Sequence, residues 1–291
     1  MRLDGYLSSH IVQPCINSGL FMPEPGIPIL MYHSISEETE SDRGDYYKVC
    51  TPPELFRAHL RLLKEEGFTV LDLAAAVDAL EGSGDGSGTV EGGARRVAVI
   101  TFDDGFRNFL TDAWPALSDC GFAATVFLPT QFIGNQRATF QERDCLTWNE
   151  VRMLRGEGVG FGSHSVSHAR LEHLDESGLL EELLESRQVI EKELGEPIDF
   201  FSHPYAFPQA NPGYVEGYRR GILGAGYRAA VTTRLGRARY GDDLSMLKRL
   251  PVNGADGPEL FRAKLMGAYD WLHAPQQAMQ WIKRSRHFAA R

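Results

Sequence analysis

The run Val97-Ala98-Val99-Ile100-Thr101-Phe102 ends abruptly in Asp103, Asp104 and Gly105, and no other stretch of the chain constrains its fold as much. Unbroken apolar and β-branched residues suit a strand covered on both faces, as in parallel sheets, and Gly105 then permits a sharp turn. The run predicts an α/β protein whose central strand delivers two acids to its C-terminal end, where active sites of such folds gather. Neighbouring side chains of an extended strand point to opposite sides, so both acids reach one site only if the backbone turns there. A loop held by an Asx-turn, or a helix N-cap, is the alternative for the same residues.

The rest of the chain supports an α/β reading. Strand-like runs at 27–33, 68–70, 123–128, 158–164, 200–208, 227–233 and 247–252 alternate with helical patterns. A length of 291 residues suits an α/β barrel built as one core. Thr51 ahead of Pro52, Pro53 and Glu54 reads as a capped helix start, and Thr147 with Glu150 repeats the Thr-x-x-Glu spacing. Residues 1–26 read as an irregular N-terminal arm, 81–93 as a flexible Gly/Ser/acid insertion, and 275–291 as a basic tail able to fray. The helix expected over 179–194 carries Glu, Lys and Arg on an outer face read as solvated.

Charge and cysteine usage exclude more than they identify. A balance of 39 acids against 30 bases, net −9, argues against a general electrostatic mode of nucleic-acid binding. Cys15, Cys50, Cys120 and Cys145 are widely spaced, which suggests neither a zinc knuckle nor a redox pair. The first residues lack a continuous apolar core, and no 18-residue apolar stretch follows. A cytoplasmic protein without a membrane span is expected.

Three histidines add chemistry to the acids. His33 ends the run 27–33 as Asp104 ends the central strand, with a core or loop histidine as the alternative. His164 and His168 stand four apart in Ser163-His164-Ser165-Val166-Ser167-His168. On a helical turn that spacing puts both imidazoles on one face, and with a carboxylate they make a three-ligand metal site with an open position. Surface histidines in a polar loop are the alternative. His173 falls outside that face and is expected in solvent or behind the ligands.

Thr101-Phe102-Asp103-Asp104-Gly105 and Ser163-His164-Ser165-Val166-Ser167-His168 together resemble the motifs of polysaccharide deacetylases of the NodB-homology, carbohydrate esterase family 4 type, over about 27–272. The resemblance implies a single distorted, seven-stranded (β/α) barrel at 27–274. It also implies a metal-dependent hydrolase that removes an N-acetyl group from an amino sugar or N-acetylated glycan. Asp104, His164 and His168 would be the metal ligands, Asp103 the general base, and the backbone N–H of Tyr205 in Pro204-Tyr205 an oxyanion donor. The implied cofactor is a divalent metal, zinc first, with cobalt, nickel or iron as alternatives.

Leu30-Met31-Tyr32-His33 stands at the front of the chain, whereas many members carry a Leu-x-His motif near the C-terminus. That order resembles the permuted subgroup that includes poly-N-acetylglucosamine deacetylases, and it makes His33 the general acid. Two positions depart from the pattern: Ser202 stands where an Arg often lies, and Ala206 where a Gly is usual. Arg249 is the expected replacement guanidinium, with a structural ion pair as the alternative, and His203 is expected behind the ligands or facing substrate. The implied partner is the N-acetylated sugar or glycan. A metal-dependent amidase or imidase on a non-sugar substrate and a catalytically silent glycan-binding relative are the competing readings.

Overall fold

The computed structural model describes residues 3–38, 48–82 and 96–289. Its main sheet comprises β1 (Ile29–Tyr32), β2 (Phe68–Leu71), β3 (Arg96–Phe102), β4 (Thr125–Leu128), β5 (Gly160–Ser163), β6 (Phe200–Ser202), β7 (Ala229–Leu235) and β8 (Leu247–Pro251). The order runs β1-β8-β7-β6-β5-β4-β3, and β3 pairs back onto β1 through Ile29↔Val99 to Tyr32↔Phe102. Seven parallel strands therefore close a barrel, surrounded by helices, as expected. The eighth, β2, lies outside the ring and pairs only with the first half of β3.

Period-two alternation sorts β3 into two environments. Ala98, Ile100 and Phe102 join Leu30, Val126 and Leu128 in the layer packed under the outer helices, including Phe56, Leu60 and Leu63 of the helix Pro53–Glu65. Val97 and Val99 join Phe127, Phe200, Ala229, Val231 and Leu247 in a second cluster, covered by Leu73, Ala76, Val77 and Leu80 of the helix Leu73–Gly82. Continuing the second series gives Thr101 and Asp103, both buried. The lumen is thus apolar at its floor and polar at its mouth. Gly162 in β5 is demanded by close approach, because a Cβ there would lie 2.6 Å from the Phe127 ring and 2.8 Å from the Phe200 carbonyl.

Several expectations are corrected. Thr51 is not a cap: it pairs with Ile35 in a two-residue ribbon, and Pro52 takes the N-cap position without a side-chain bond. Thr147 and Glu150 do form a reciprocal capping box. The N-terminal arm is helical over 3–17, with a π-turn at Ser8–Val12, rather than irregular. The C-terminal segment is a helix, His273–Ala289, not a frayed tail. Gln276 and Gln280 dock it, donating from Nε2 to the Thr233 and Phe207 carbonyls at 2.9 Å each. Residues 83–93 of the expected insertion lie outside the described residues. Among the described residues no helix is long and apolar enough to cross a membrane.

Candidate metal-dependent active site

At the C-terminal ends of the strands the backbone breaks the alternation. Asp103 N–H donates to the Tyr32 carbonyl at 3.0 Å, the last rung tying β3 to β1, and Asp104 then adopts φ 73°. That left-handed residue is the turn both acids require. Ser165, His168 and Tyr205 also have positive φ, at 67°, 56° and 57°. Such conformations cost a non-glycine residue on the order of 1–3 kcal/mol and persist where surrounding structure over-determines them. Four of them converge on this one end of the barrel.

Asp103 remains in the lumen and meets Arg249, a fully buried side chain from β8. The guanidinium grips the carboxylate in a fork, Nη1 to Oδ1 at 2.8 Å and Nη2 to Oδ2 at 2.7 Å. Its remaining donors are spent on Ser202 Oγ at 2.9 Å, the Thr232 carbonyl at 3.1 Å and Thr101 Oγ1 at 3.2 Å. Ser202 in turn donates to Asp103 Oδ1 at 3.2 Å. The departure noted at Ser202 is thereby accounted for: a hydroxyl and a guanidinium from another strand both hold Asp103. Burial would raise the Asp103 pKa, but Arg249 and His164 outweigh it and hold it below the ordinary carboxylate value.

Asp104 faces the histidines instead. Its Oδ1 lies 3.3 Å from His168 Nε2 and 3.5 Å from His164 Nε2, and is buried without a hydrogen-bond partner. Burial raises its pKa, yet the two imidazoles and His33 hold it far below the usual range. His164 Nδ1 lies 2.8 Å from the Ser202 carbonyl. That bond places a proton on Nδ1 and leaves the Nε2 lone pair facing Asp104. Burial lowers the His164 pKa, but Asp103 and Asp104 more than offset it and raise it. One ligand atom from each of Asp104, His164 and His168 falls within 4.8 Å of the others, and all three residues are buried. Two imidazoles, one carboxylate and an orphaned carboxylate oxygen fit a divalent cation such as zinc.

The histidine pair is not helical. His164 directly follows β5 and His168 lies within the irregular loop that runs to Arg170, so sequence spacing predicted the proximity but not the backbone that produces it. The loop is fixed by neighbours: Thr130 and Gln131 amides donate to the Ser165 and Val166 carbonyls at 3.1 and 2.9 Å. Ser165 Oγ accepts the His168 N–H at 3.0 Å. Glu182, on a helix face read as solvated, accepts from Val166 and Ser167.

His33 follows β1 immediately and is partly buried. Burial lowers its pKa, against the upward pull of Asp104 and Asp103. Tyr205 is 39% exposed at the rim. Its ring packs edge-on to His168 at 4.6 Å, and Arg170 covers it at 4.3 Å. Phe140 flanks His168 from the other loop at 4.9 Å. Sequence reading missed Arg170, Phe140 and Glu182, which lie outside the motifs. His203 does not face substrate: it is fully buried, bonded through Nε2 to Tyr214 Oη at 2.7 Å and enclosed by Phe207 and Tyr218. Burial first, then His164, pushes its pKa down to about 3. His173 is exposed.

Known proteins resemble this chain in sequence and in fold. The family model described as polysaccharide deacetylase matches residues 91–216, which span both acids and both histidines. YxkH of Bacillus subtilis (strain 168), a polysaccharide deacetylase homologue, is 27% identical over 227 residues, covering 78% of this chain and 71% of its own. Among solved structures, the deacetylase PplD of Streptococcus pyogenes, in complex with acetate, has a TM-score of 0.68 at 23% identity, covering 84% of this chain and 99% of that one. IcaB from Ammonifex degensii has a TM-score of 0.67 at 18% identity with the same coverage. These two likenesses bear out the barrel; the family match falls on the residues that build its mouth. Over residues 91–216, the segment that carries both acids and both histidines, the chain is similar to the polysaccharide deacetylase family.

Proposed function

We propose that the chain hydrolyses the N-acetyl amide of an amino sugar within a glycan, using a divalent metal held by Asp104, His164 and His168. One observation carries this reading. Adjacent carboxylates are divided between different partners, Asp103 fixed by Arg249 and Ser202, Asp104 left with an orphaned oxygen between two imidazoles. A divalent ion, zinc being the first choice, would when bound polarise the acetyl carbonyl and lower the pKa of a water, to about 7 in zinc enzymes.

The chain's own residues do the rest. Asp103, kept ionised by Arg249, accepts the proton of the attacking water. The Tyr205 N–H, presented by its left-handed turn, donates to the oxyanion as the carbonyl becomes tetrahedral. His33 gives a proton to the departing nitrogen, without which an amide leaves very poorly. Arg170 and Tyr205 at the rim offer an aromatic and a hydrogen-bonding surface to the sugar. The acetate bound in the PplD structure is the acid such a reaction releases.

Metal analysis combined with acetate release from N-acetylglucosamine oligomers tests the reading. Stoichiometric metal and acetate are expected. Metal with turnover only of non-sugar amides would transfer the chain to the amidase reading. His33→Ala is expected to lower kcat by roughly 10²–10⁴, the range for one general acid or base, and an unchanged rate would remove His33 from the reaction.

A further inference from the structure

The long helix Glu176–Leu194 runs beneath the loop that carries the histidines, and Glu182 turns into it. Its Oε2 accepts the Val166 N–H at 2.8 Å and the Ser167 N–H at 3.0 Å, while Oε1 accepts the Ser167 hydroxyl at 2.5 Å. One turn further on, Ser186 Oγ lies 2.6 Å from Ser163 Oγ, which accepts the Ser165 N–H at 3.2 Å. The helix therefore holds Ser163, Val166 and Ser167 directly and Ser165 through Ser163, while the His164 N–H donates to the Leu128 carbonyl.

The held segment is flanked by strain. Ser165 and His168 both occupy the left-handed region that favours glycine, and neither is glycine. Such a loop relaxes unless its neighbours over-determine it. Hydrogen bonds to an ionised carboxylate are among the strongest available for that task. Glu182 supplies three of them to the two residues lying between the strained positions.

We propose that Glu182 is a positioning residue for the metal: it presets the loop so that His168 stands opposite Asp104 and His164 before any ion arrives. This inference rests on the assignment of Asp104, His164 and His168 as ligands. Its consequence is that metal affinity depends on a carboxylate that is not itself a ligand. Supporting groups of this kind commonly govern affinity through ligand orientation.

Competitive titration with Zn²⁺ against a chromophoric chelator, without substrate, tests the proposal. Glu182→Ala keeps a good helix former in place and removes both acceptor oxygens, and with them all three hydrogen bonds. Its Zn²⁺ dissociation constant is expected to rise about 10–100-fold, as for other groups supporting metal ligands. Glu182→Gln, which retains one acceptor oxygen, should recover part of that loss. Arg187→Ala, which loosens the same helix by releasing Glu191 and the Ala225 carbonyl, should bind Zn²⁺ as the parent does. A Glu182→Ala affinity equal to the parent's overturns the proposal, and so does an equal loss in Arg187→Ala. Should Glu182→Ala fail to fold, Ser167→Ala deletes only the hydroxyl bond, and a parent-like affinity there overturns it equally. A parent protein that takes up no Zn²⁺ would instead refute the ligand assignment itself.

Discussion

Among the described residues, two pairs of a carboxylate with an arginine or lysine are almost wholly buried, and they are built to opposite ends. Asp256 and Lys264 meet at 2.8 Å with no exposed surface on either side chain. The lysine also donates to the Pro251 carbonyl at 2.6 Å, the Asp256 carboxylate accepts the Asn253 N–H at 2.9 Å, and the Asp256 carbonyl meets His59 Nε2 at 2.7 Å. Phe261 stacks on His59 at 4.0 Å and Tyr32 Oη closes its other nitrogen at 3.0 Å. That cluster binds β1 to the segment after β8. Asp103 and Arg249 are as deeply buried, but the next residue, Asp104, presents an orphaned oxygen to two histidines. Burial of charge therefore does not mark function here. The orphaned carboxylate oxygen beside the Asp103–Arg249 pair is what separates the two regions.

Substitutions at the two pairs should separate in kind. Removing one partner of a buried pair leaves an uncompensated charge and costs about 3–5 kcal/mol of stability. Arg249→Leu is expected to show that loss together with a fall in kcat of roughly 10²–10⁴, since Asp103 loses the group that keeps it ionised and oriented. Lys264→Met should lose comparable stability by denaturant titration while the folded fraction keeps the parent kcat. Equal effects on kcat would erase the distinction between the two regions.

A smaller effect sharpens the contrast through pH. Burial lowers the His59 pKa to about 4. As pH falls below the ordinary histidine value near 6.5, the unfolded chain takes up the proton first, so stability declines until the folded value is reached. The shift corresponds to roughly 3 kcal/mol lost between about pH 6.5 and pH 4. Thermal unfolding at pH 7.5 and pH 4.5 should show a smaller drop for His59→Gln than for the parent. Identical drops would mean that His59 is not held neutral in the fold.

Much of this architecture was legible because it depends on local rules. The eight strands are apolar runs bounded by polar residues, and the acids and histidines sit where those runs stop. Arg249 was reachable as well, as a guanidinium on another strand able to replace a missing partner of Asp103, with a structural ion pair as the alternative. Other features had no local signature. Asp and His enter the left-handed region more readily than most residues, but the type alone does not place Asp104, His168 or Tyr205 there; tertiary contacts do. Glu182 lies among glutamates that look alike in sequence, and only packing reveals that it turns inward while others face solvent. Gln276 and Gln280 help to dock the C-terminal helix through their amides, contacts that hydrophobic periodicity does not register. The Thr51 cap failed because a ribbon with Ile35 claimed its backbone first.

The central claim is that Asp103 and Asp104, neighbours in sequence, hold separate jobs, and a paired measurement of bound metal and turnover tests it. Asparagine tolerates the left-handed region, so Asp104→Asn removes charge while keeping the turn. Asp103→Asn is predicted to retain one divalent ion per chain while acetate release falls by roughly 10²–10⁴, and Asp104→Asn to lose the ion and with it the turnover. Full turnover in Asp103→Asn, or undiminished metal in Asp104→Asn, would contradict the account.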